Sequence, residues 1–229
     1  MAYDAPTRSE MTEVILRALR DESASVFPTT TVADFINEAL SDLSIYRPVE
    51  LATTLAYTPG MTDLSDESFT GVWRVQLAYI AGSQKRATII PYADPNNGRA
   101  GWNFYDGRVF VSPLWMSKAA AFDNLYGGSA EWNVYGYADR RMPTSDSSVL
   151  DLRDATDYAC VLAHCKSLGF ELLTHDRSLY QQWLAATNNT DVSPTQLSGM
   201  ANMSDANFQR QRARNTKLRR IPGEYSYTY

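Results

Sequence analysis

Few side chains in this sequence are spaced as metal or nucleophile chemistry requires. The chain has two cysteines, Cys160 and Cys165, and two histidines, His164 and His175. A zinc site takes three or four protein ligands at a recognisable spacing, so we expect no metal and no cofactor. The cysteines lie five positions apart on one predicted helix, which favours reduced core thiols over a disulfide.

Motifs that identify common enzyme classes are also missing. The sequence contains no Gly-x-Ser-x-Gly, no phosphate-binding Gly-Lys-Ser/Thr and no His-Glu-x-x-His. A carboxylate pair of the glycosidase kind can be drawn from Asp63, Asp66, Glu131 and Asp139. However, a chain with 26 acidic residues offers many such pairs, and solvated loops explain them more simply. We therefore expect a protein that is not an enzyme.

Aromatic side chains in the middle of the chain offer a binding role as an alternative. They are Trp73, Trp102, Phe104, Trp115 and Trp132. Such rings can stack on sugars, but they are more typical of core packing between sheets. Trp102 and Tyr105, beside a predicted turn, are the better sugar-binding candidates if they are exposed.

The most distinctive pattern lies in the last twenty residues. A basic tract comprises Arg210, Arg212, Arg214, Lys217, Arg219 and Arg220. Pro222 and Gly223 interrupt what precedes them. In an extended conformation Tyr225, Tyr227 and Tyr229 would share one face, so this segment can add as a strand to the sheet edge of another protein. A frayed end or a strand on its own domain is the alternative.

The distribution of charge is uneven along the chain. Residues 201–229 carry a formal net charge of +4, whereas residues 1–200 carry −9. This asymmetry suits contact between like subunits or with an acidic partner. The basic tract could instead meet DNA phosphates in a channel, or form a solvated helix face. An acidic body is not typical of a nucleic-acid-binding domain.

Helix patterns occur on both sides of a β-rich region, and together they predict an α+β protein. Residues 1–49 carry two helices, the first with a Thr7–Glu10 capping box and the second ending by Tyr46. Residues 149–220 carry a long helix, capped by Asp151 or Asp154 and bent or interrupted at Gly169, and a last helix that begins at Ser193-Pro194. This last helix has few apolar residues and needs a neighbour. We expect a bundle of about four helices, followed by an extended docking tail over 221–229.

Residues 50–148 are predicted to be a β-rich insertion. Short strand-like runs alternate there with glycine, proline, asparagine and aspartate. Asp106-Gly107 separates two such runs and predicts a tight hairpin turn. A small antiparallel sandwich or barrel is the expected architecture. A short helix within Met116–Tyr126 is an open alternative.

Three segments within this order of elements resemble the bacteriophage head-to-tail adaptor proteins. These segments are Thr31–Leu40, which includes Ile-Asn-Glu-Ala-Leu, Trp132–Ala138, and Asp151–Ala155 at the start of the long helix. The family is also called head completion or connector proteins, and in short-tailed phages tail tubular protein A. The similar layout covers nearly the whole chain.

The resemblance implies a structural virion protein at the head–tail junction. Such proteins form a twelve-fold ring beneath the portal protein, contact tail or nozzle proteins, and let DNA pass without sequence specificity. Their C-terminal segments reach into the portal, a role that would fall here to the basic tract and to Tyr225, Tyr227 and Tyr229. Because this tail is short and aromatic, an adjacent subunit is the other possible contact. The competing expectation is a glycan-binding or glycan-cleaving phage tail component.

The sequence also predicts where the protein is made. No apolar run approaches the length of a membrane helix, and the first residues lack the layout of a signal peptide. We therefore expect a soluble protein without a membrane partner, made in the host cytoplasm.

Overall fold

The computed structural model describes residues 3–61, 63–64, 69–79, 86–89, 101–188 and 192–214. In these residues the fold is mixed α+β with antiparallel sheets, as expected. The chain divides into two compact units. One, the helical unit, contains the described residues up to Arg47 and from Arg140 onward. The other, the β unit, comprises the described residues of Pro48–Asp139.

The elements follow one another in this order. The helices are α1 (Arg8–Ala18), α2 (Thr29–Tyr46), α3 (Pro113–Leu125), α4 (Ala155–His175), α5 (Arg177–Thr187) and α6 (Pro194–Arg214). The strands are β1 (Val49–Ala56), β2 (Phe69–Ala78), β3 (Arg86–Ile89), β4 (Trp102–Tyr105), β5 (Arg108–Val111) and β6 (Glu131–Ala138).

Helix α1 begins at the predicted capping box. The Thr7 hydroxyl accepts a hydrogen bond from the Glu10 amide at 3.2 Å, and the Glu10 carboxylate accepts from the Thr7 amide at 2.7 Å. The helix ends at Ala18, and Arg20 shortly after it adopts a left-handed conformation with φ of 60° that the helix could not continue through. The buried Asp21 carboxylate then accepts the Val26 and Phe27 amides, which organises the loop before α2.

The core of the helical unit is formed by α1, α2 and α4, with contributions from α5 and α6. Its fully buried large side chains include Met11, Ile15, Leu19, Phe27, Ile36, Leu40, Leu43, Trp183 and Phe208. The Trp183 indole donates a hydrogen bond to the Leu19 carbonyl at 2.8 Å, so α5 is joined to the end of α1 by a buried polar contact.

Helix α4 runs through Gly169 without a break, and the predicted interruption there is wrong. A Cβ atom on Gly169 would lie 2.6 Å from Leu19 Cδ2 and 2.7 Å from Leu19 Cδ1. The glycine is therefore explained by close packing against α1 rather than by a helix break.

The β unit contains a four-stranded antiparallel sheet in the order β1-β6-β2-β3 and a separate β4-β5 hairpin. The hairpin confirms the Asp106-Gly107 turn, in which both residues have positive φ, 50° and 72°. The described strands do not close into a barrel, so the barrel alternative is wrong. Trp102, Trp132, Val75 and Leu77 are buried in the core of this unit.

Helix α3 settles the ambiguous stretch before β6. It spans Pro113–Leu125 with proline in its first turn, which suits a residue that has no amide hydrogen to donate. The Phe122 ring packs on Tyr79 with a centroid separation of 4.6 Å, so the helix contacts the residue that directly follows β2 in the same unit.

The packing at Gly169 predicts opposite effects for two helical glycine substitutions. Gly169→Ala should lower the free energy of unfolding by about 1–3 kcal/mol, because the added methyl group would force the fully buried Leu19 side chain to shift. Gly199→Ala in α6 meets nothing within 4 Å and should raise it by roughly 0.5–1 kcal/mol. Urea unfolding of both variants measures the difference; equal effects would contradict the packing argument.

Candidate functional site

The basic tract begins on the last turns of α6, whose start is fixed as predicted. The Ser193 hydroxyl accepts from the Gln196 amide at 3.3 Å, and the Gln196 side chain accepts from the Ser193 amide at 2.7 Å. This is a capping box with proline at the first helical position.

Helix α6 finds its neighbour in α4 of the same chain. Leu197 and Phe208 are fully buried, and the Ser167 hydroxyl donates to the Ala201 carbonyl at 3.1 Å. The His164 ring lies on Phe208 with centroids 4.6 Å apart. Met203 is 70% exposed, so the apolar residues of α6 are divided between an inner and an outer face.

The two arginines of the tract whose side chains are described have different environments. Arg210 is exposed. Arg212 is half-buried, with its Cζ atom 4.0 Å from the centroid of the Tyr46 ring and 5.8 Å from that of Phe208. A guanidinium held over an aromatic face in this way contributes to stability, so Arg212 attaches the end of α6 to the end of α2.

The structure does not describe the other side chains of the predicted partner-binding set. Arg214 is the last residue of α6, and its side chain is not among those described. Lys217, Arg219, Arg220, Tyr225, Tyr227 and Tyr229 lie outside the described residues. Their binding role therefore stays a prediction.

A buried ionic cluster lies at the two positions where the chain leaves and re-enters the helical unit. Asp157, on the first turn of α4, is fully buried. Its Oδ1 atom is 2.5 Å from Arg47 Nη1, and its Oδ2 atom is 2.9 Å from Arg140 Nη2. One carboxylate thus forms an ion pair with each of two buried guanidinium groups, since buried charges need charged or hydrogen-bonding partners.

Backbone groups complete this cluster. Arg140 donates through Nε to the Arg47 carbonyl at 3.0 Å and through Nη1 to the Asp151 carbonyl. The Arg140 amide donates to the Ser44 hydroxyl at 2.8 Å, and that hydroxyl donates to the Leu40 carbonyl. The arginine fork therefore joins the end of α2 to the segment that precedes α4.

Asp154 adds an ion pair and a helix cap at the edge of the cluster. Its Oδ2 atom is 2.8 Å from Arg47 Nη2, and its Oδ1 atom accepts the amides of Thr156 and Asp157. Of the two predicted caps for α4, Asp154 is therefore the one used. The Arg47 hydrogen bond holds the pKa of Asp154 well below its usual range, and burial lowers the pKa of Arg140.

Sequence reasoning did not find this cluster. Arg47 and Asp154 are 107 positions apart, and no local pattern joins them. The available signal was weak: an arginine just before Pro48, another just after a predicted strand, and aspartates three positions apart at a helix start.

The sugar-stacking candidates are mostly core residues. Trp102 is 1% exposed and donates its indole hydrogen to the Ile89 carbonyl at 2.9 Å, so it does not meet the condition of exposure under which it was a sugar-stacking candidate. Trp132 is fully buried. Tyr105 is 71% exposed and is the exposed aromatic beside the turn.

The carboxylates that were considered as a glycosidase-like pair lie in different environments. Asp63 lies 3.7 Å from Arg108, and Asp66 lies outside the described residues. Glu131 is half-buried at the start of β6, and Asp139 is exposed just after that strand ends.

Both cysteines are buried and unpaired on α4. Burial raises the pKa of the Cys160 thiol to about 11 and raises that of Cys165 further above its usual range. Among the described residues no three histidine, cysteine or acidic side chains are grouped as metal ligands would be. Within the same residues, no helix combines the length and apolar character needed to cross a membrane.

No protein-family model matches the chain, and no curated protein matches it with significant similarity.

The ionic cluster predicts a large stability loss on removal of its central charge. Asp157→Asn keeps the shape of the side chain but removes the one fully buried carboxylate among the partners of Arg47 and Arg140, which then keep only the more exposed Asp154 and Asp151. The free energy of unfolding should fall by about 3–5 kcal/mol. Asp151→Asn, at a carboxylate that is about half exposed and 3.9 Å from Arg140, is the control and should cost less than about 1 kcal/mol. Similar losses in urea unfolding would contradict the central role of Asp157.

The lowered pKa of Asp154 predicts an acid-dependent contribution to stability. Since the folded state holds this carboxylate ionised, its contribution is present above the ordinary aspartate pKa of about 3.9 and is lost as the pH falls toward the lowered folded pKa. Asp154→Asn retains a helix-capping side chain and removes the charge. The stability difference between wild type and this variant should be largest near pH 7 and should narrow below about pH 4. A constant difference would show that the charge is not responsible.

Proposed function

We propose that this protein is a structural component of a bacteriophage particle, an adaptor that forms a homo-oligomeric ring between the portal protein and the tail. The observation that carries the proposal is the order along the chain, in which the β unit is inserted between the two sequence ranges that form one helical unit. The basic end of α6 then leads into residues 215–229. This order of elements is similar to that of the head-to-tail adaptors, which segments of the sequence also resemble.

The finer architecture belongs to the same proposal. We infer that α1, α2, α4 and α6 act as the bundle of about four helices, that the β unit is a sandwich-like insertion, and that residues 221–229 are an extended docking arm. The ring has twelve copies, its helices surround the channel, and DNA passes through it without sequence-specific contacts. Its neighbours are the portal protein and tail or nozzle proteins, and it has no catalytic role.

The two arginines of the basic tract whose side chains are described have different roles in the proposal. Arg212 is occupied by Tyr46, whereas Arg210 is exposed at the surface of α6. In the proposed particle, Arg210 together with Arg214 and Lys217 pairs with acidic surface on a portal protein or an adjacent subunit. The acidic character of residues 1–200 makes another copy of this chain a suitable partner.

The proposal predicts that charge reversal on this face impairs assembly without unfolding the protein. Wild-type protein mixed with its portal protein should form rings that negative-stain microscopy and native mass spectrometry detect. The variant Arg210→Glu/Arg214→Glu/Lys217→Glu should attach less, with an unchanged unfolding midpoint. Arg177→Glu, at an exposed arginine on α5, is the matched control and should assemble normally.

Two outcomes of this experiment decide between the alternatives. A wild-type protein that remains monomeric, never associates with the portal and binds polysaccharide would contradict the adaptor proposal. Normal attachment of the triple variant with poor DNA retention would assign these residues to the channel lining instead. Monomers in solution without portal are compatible with the proposal, because a ring can close on the portal itself.

A further inference from the structure

Strand β1 is an outer strand of the four-stranded sheet. All eight of its residues pair with β6, from Val49 opposite Ala138 to Ala56 opposite Glu131. No described strand lies on its other side. Every second backbone position of an outer antiparallel strand directs its amide and carbonyl away from the sheet, so β1 offers a row of groups that can pair with another strand.

The residues of β1 themselves lack the features by which an edge strand usually prevents pairing with another strand. Its register with β6 is regular over its whole length, whereas the β2–β6 pairing contains two irregularities. Within β1 there is no proline and no lysine, and Glu50 is its one charged residue. Natural proteins protect a free edge with bulges, prolines or inward-pointing charges, so a regular eight-residue edge is suited to accept a partner strand.

The exposed side chains of β1 are small and evenly spaced. Ala52, Thr54 and Ala56 are exposed, and they occupy alternate positions on one face of the strand. On the same face Ala52 lies opposite Tyr135, whose ring is 5.6 Å from that of Trp73. The small residues thus leave an open strip between this aromatic pair and the edge of the sheet.

We propose that residues Tyr225–Tyr229 of a neighbouring copy add to the sheet as a strand alongside β1. This inference rests on the proposed ring and identifies the acceptor of its docking arm. The segment has tyrosines at three alternate positions, and β1 has small exposed residues at three alternate positions. Adjacent strands lie about 4.8 Å apart, so a tyrosine on the added strand can extend across Ala52 toward Tyr135.

Reach and charge fit this partner. Tyr225 lies eleven positions after Arg214, the last residue of α6, and an extended chain of that length spans up to roughly 35–40 Å. Upstream of the tyrosines the segment is basic, whereas Glu50 is exposed at the start of β1. The acidic remainder of the chain is attractive to the tail of another copy.

The symmetry of such a contact agrees with a ring. The donor is the tail and the acceptor is the β1 edge, so each copy uses two different surfaces. Head-to-tail contacts of this kind generate closed rings when the rotation between copies closes. The same contact also accounts for the alternating pattern of residues 225–229, since strand addition places alternate side chains on one face.

Cysteine cross-linking between two differently tagged copies tests the inference. One copy carries Tyr227→Cys, and the other carries Ala52→Cys, Thr54→Cys or Ala56→Cys. The native Cys160 and Cys165 are buried, so only introduced thiols should react under mild oxidation. In rings assembled on portal, at least one β1 position should give several-fold more mixed dimer than Ala185→Cys, an exposed alanine on α5 of the other unit.

A second pair of variants tests the edge without introducing cysteine. Ala52→Lys/Ala56→Lys places two bulky charges on the exposed strip and leaves the pairing with β6 possible. It should abolish ring closure with an unchanged unfolding midpoint, as should deletion of residues 221–229. Ala185→Lys, the matched exposed substitution, should have no effect on assembly.

The outcomes separate this inference from the proposed function. Rings that form normally with the lysine variant, or that give no cross-link above the control, would overturn the strand addition and leave the adaptor proposal intact. A cross-link confined to one chain in Thr54→Cys/Tyr227→Cys would overturn the exchange between copies. Absence of both rings and cross-links would overturn both proposals.

Discussion

The arrangement of the helical unit depends on the two ion pairs that the buried Asp157 carboxylate forms. It compensates Arg47 and Arg140, the last and first residues of the helical unit on either side of the β unit. Because all three charges are buried, loss of Asp157 removes the buried counter-charge of both arginines and is costly. The end of α2, the return of the chain and the start of α4 are therefore stabilised together, and Asp154 extends this cluster by capping α4 while it binds Arg47.

Helix α4 connects the ionic cluster at its start to the other helices of its unit. Gly169 of α4 packs against Leu19, the residue that caps the end of α1, and Ser167 donates a hydrogen bond to the α6 backbone. Helix α5 starts directly after it, since Asp176 ends α4 and accepts the amides of Ser178 and Leu179. In the proposed adaptor, α6 and its basic end would thus be positioned by the packing of its few apolar residues on α4.

How well the sequence predicted each feature depended on how local its cause is. The Thr7 and Ser193 caps, the Asp106-Gly107 turn and the end of α2 each depend on a few neighbouring residues, and each was predicted correctly. The ionic cluster depends on partners far along the chain, and sequence reasoning missed it. Gly169 was misinterpreted because a close approach between helices and a helix break favour the same residue.

The contact between Arg212 and Tyr46 has a mechanical consequence for the proposed arm. Any tension applied through residues 215–229 enters the folded protein at the last turns of α6, where Arg212 lies over the Tyr46 ring and Phe208 is fully buried. Tyr46 is the last residue of α2 and is followed by Arg47. Tension on the arm is therefore carried from Arg212 to Tyr46 and through the adjacent Arg47 to the buried ionic cluster. Separation of α6 would then be resisted by α2 and α4 together.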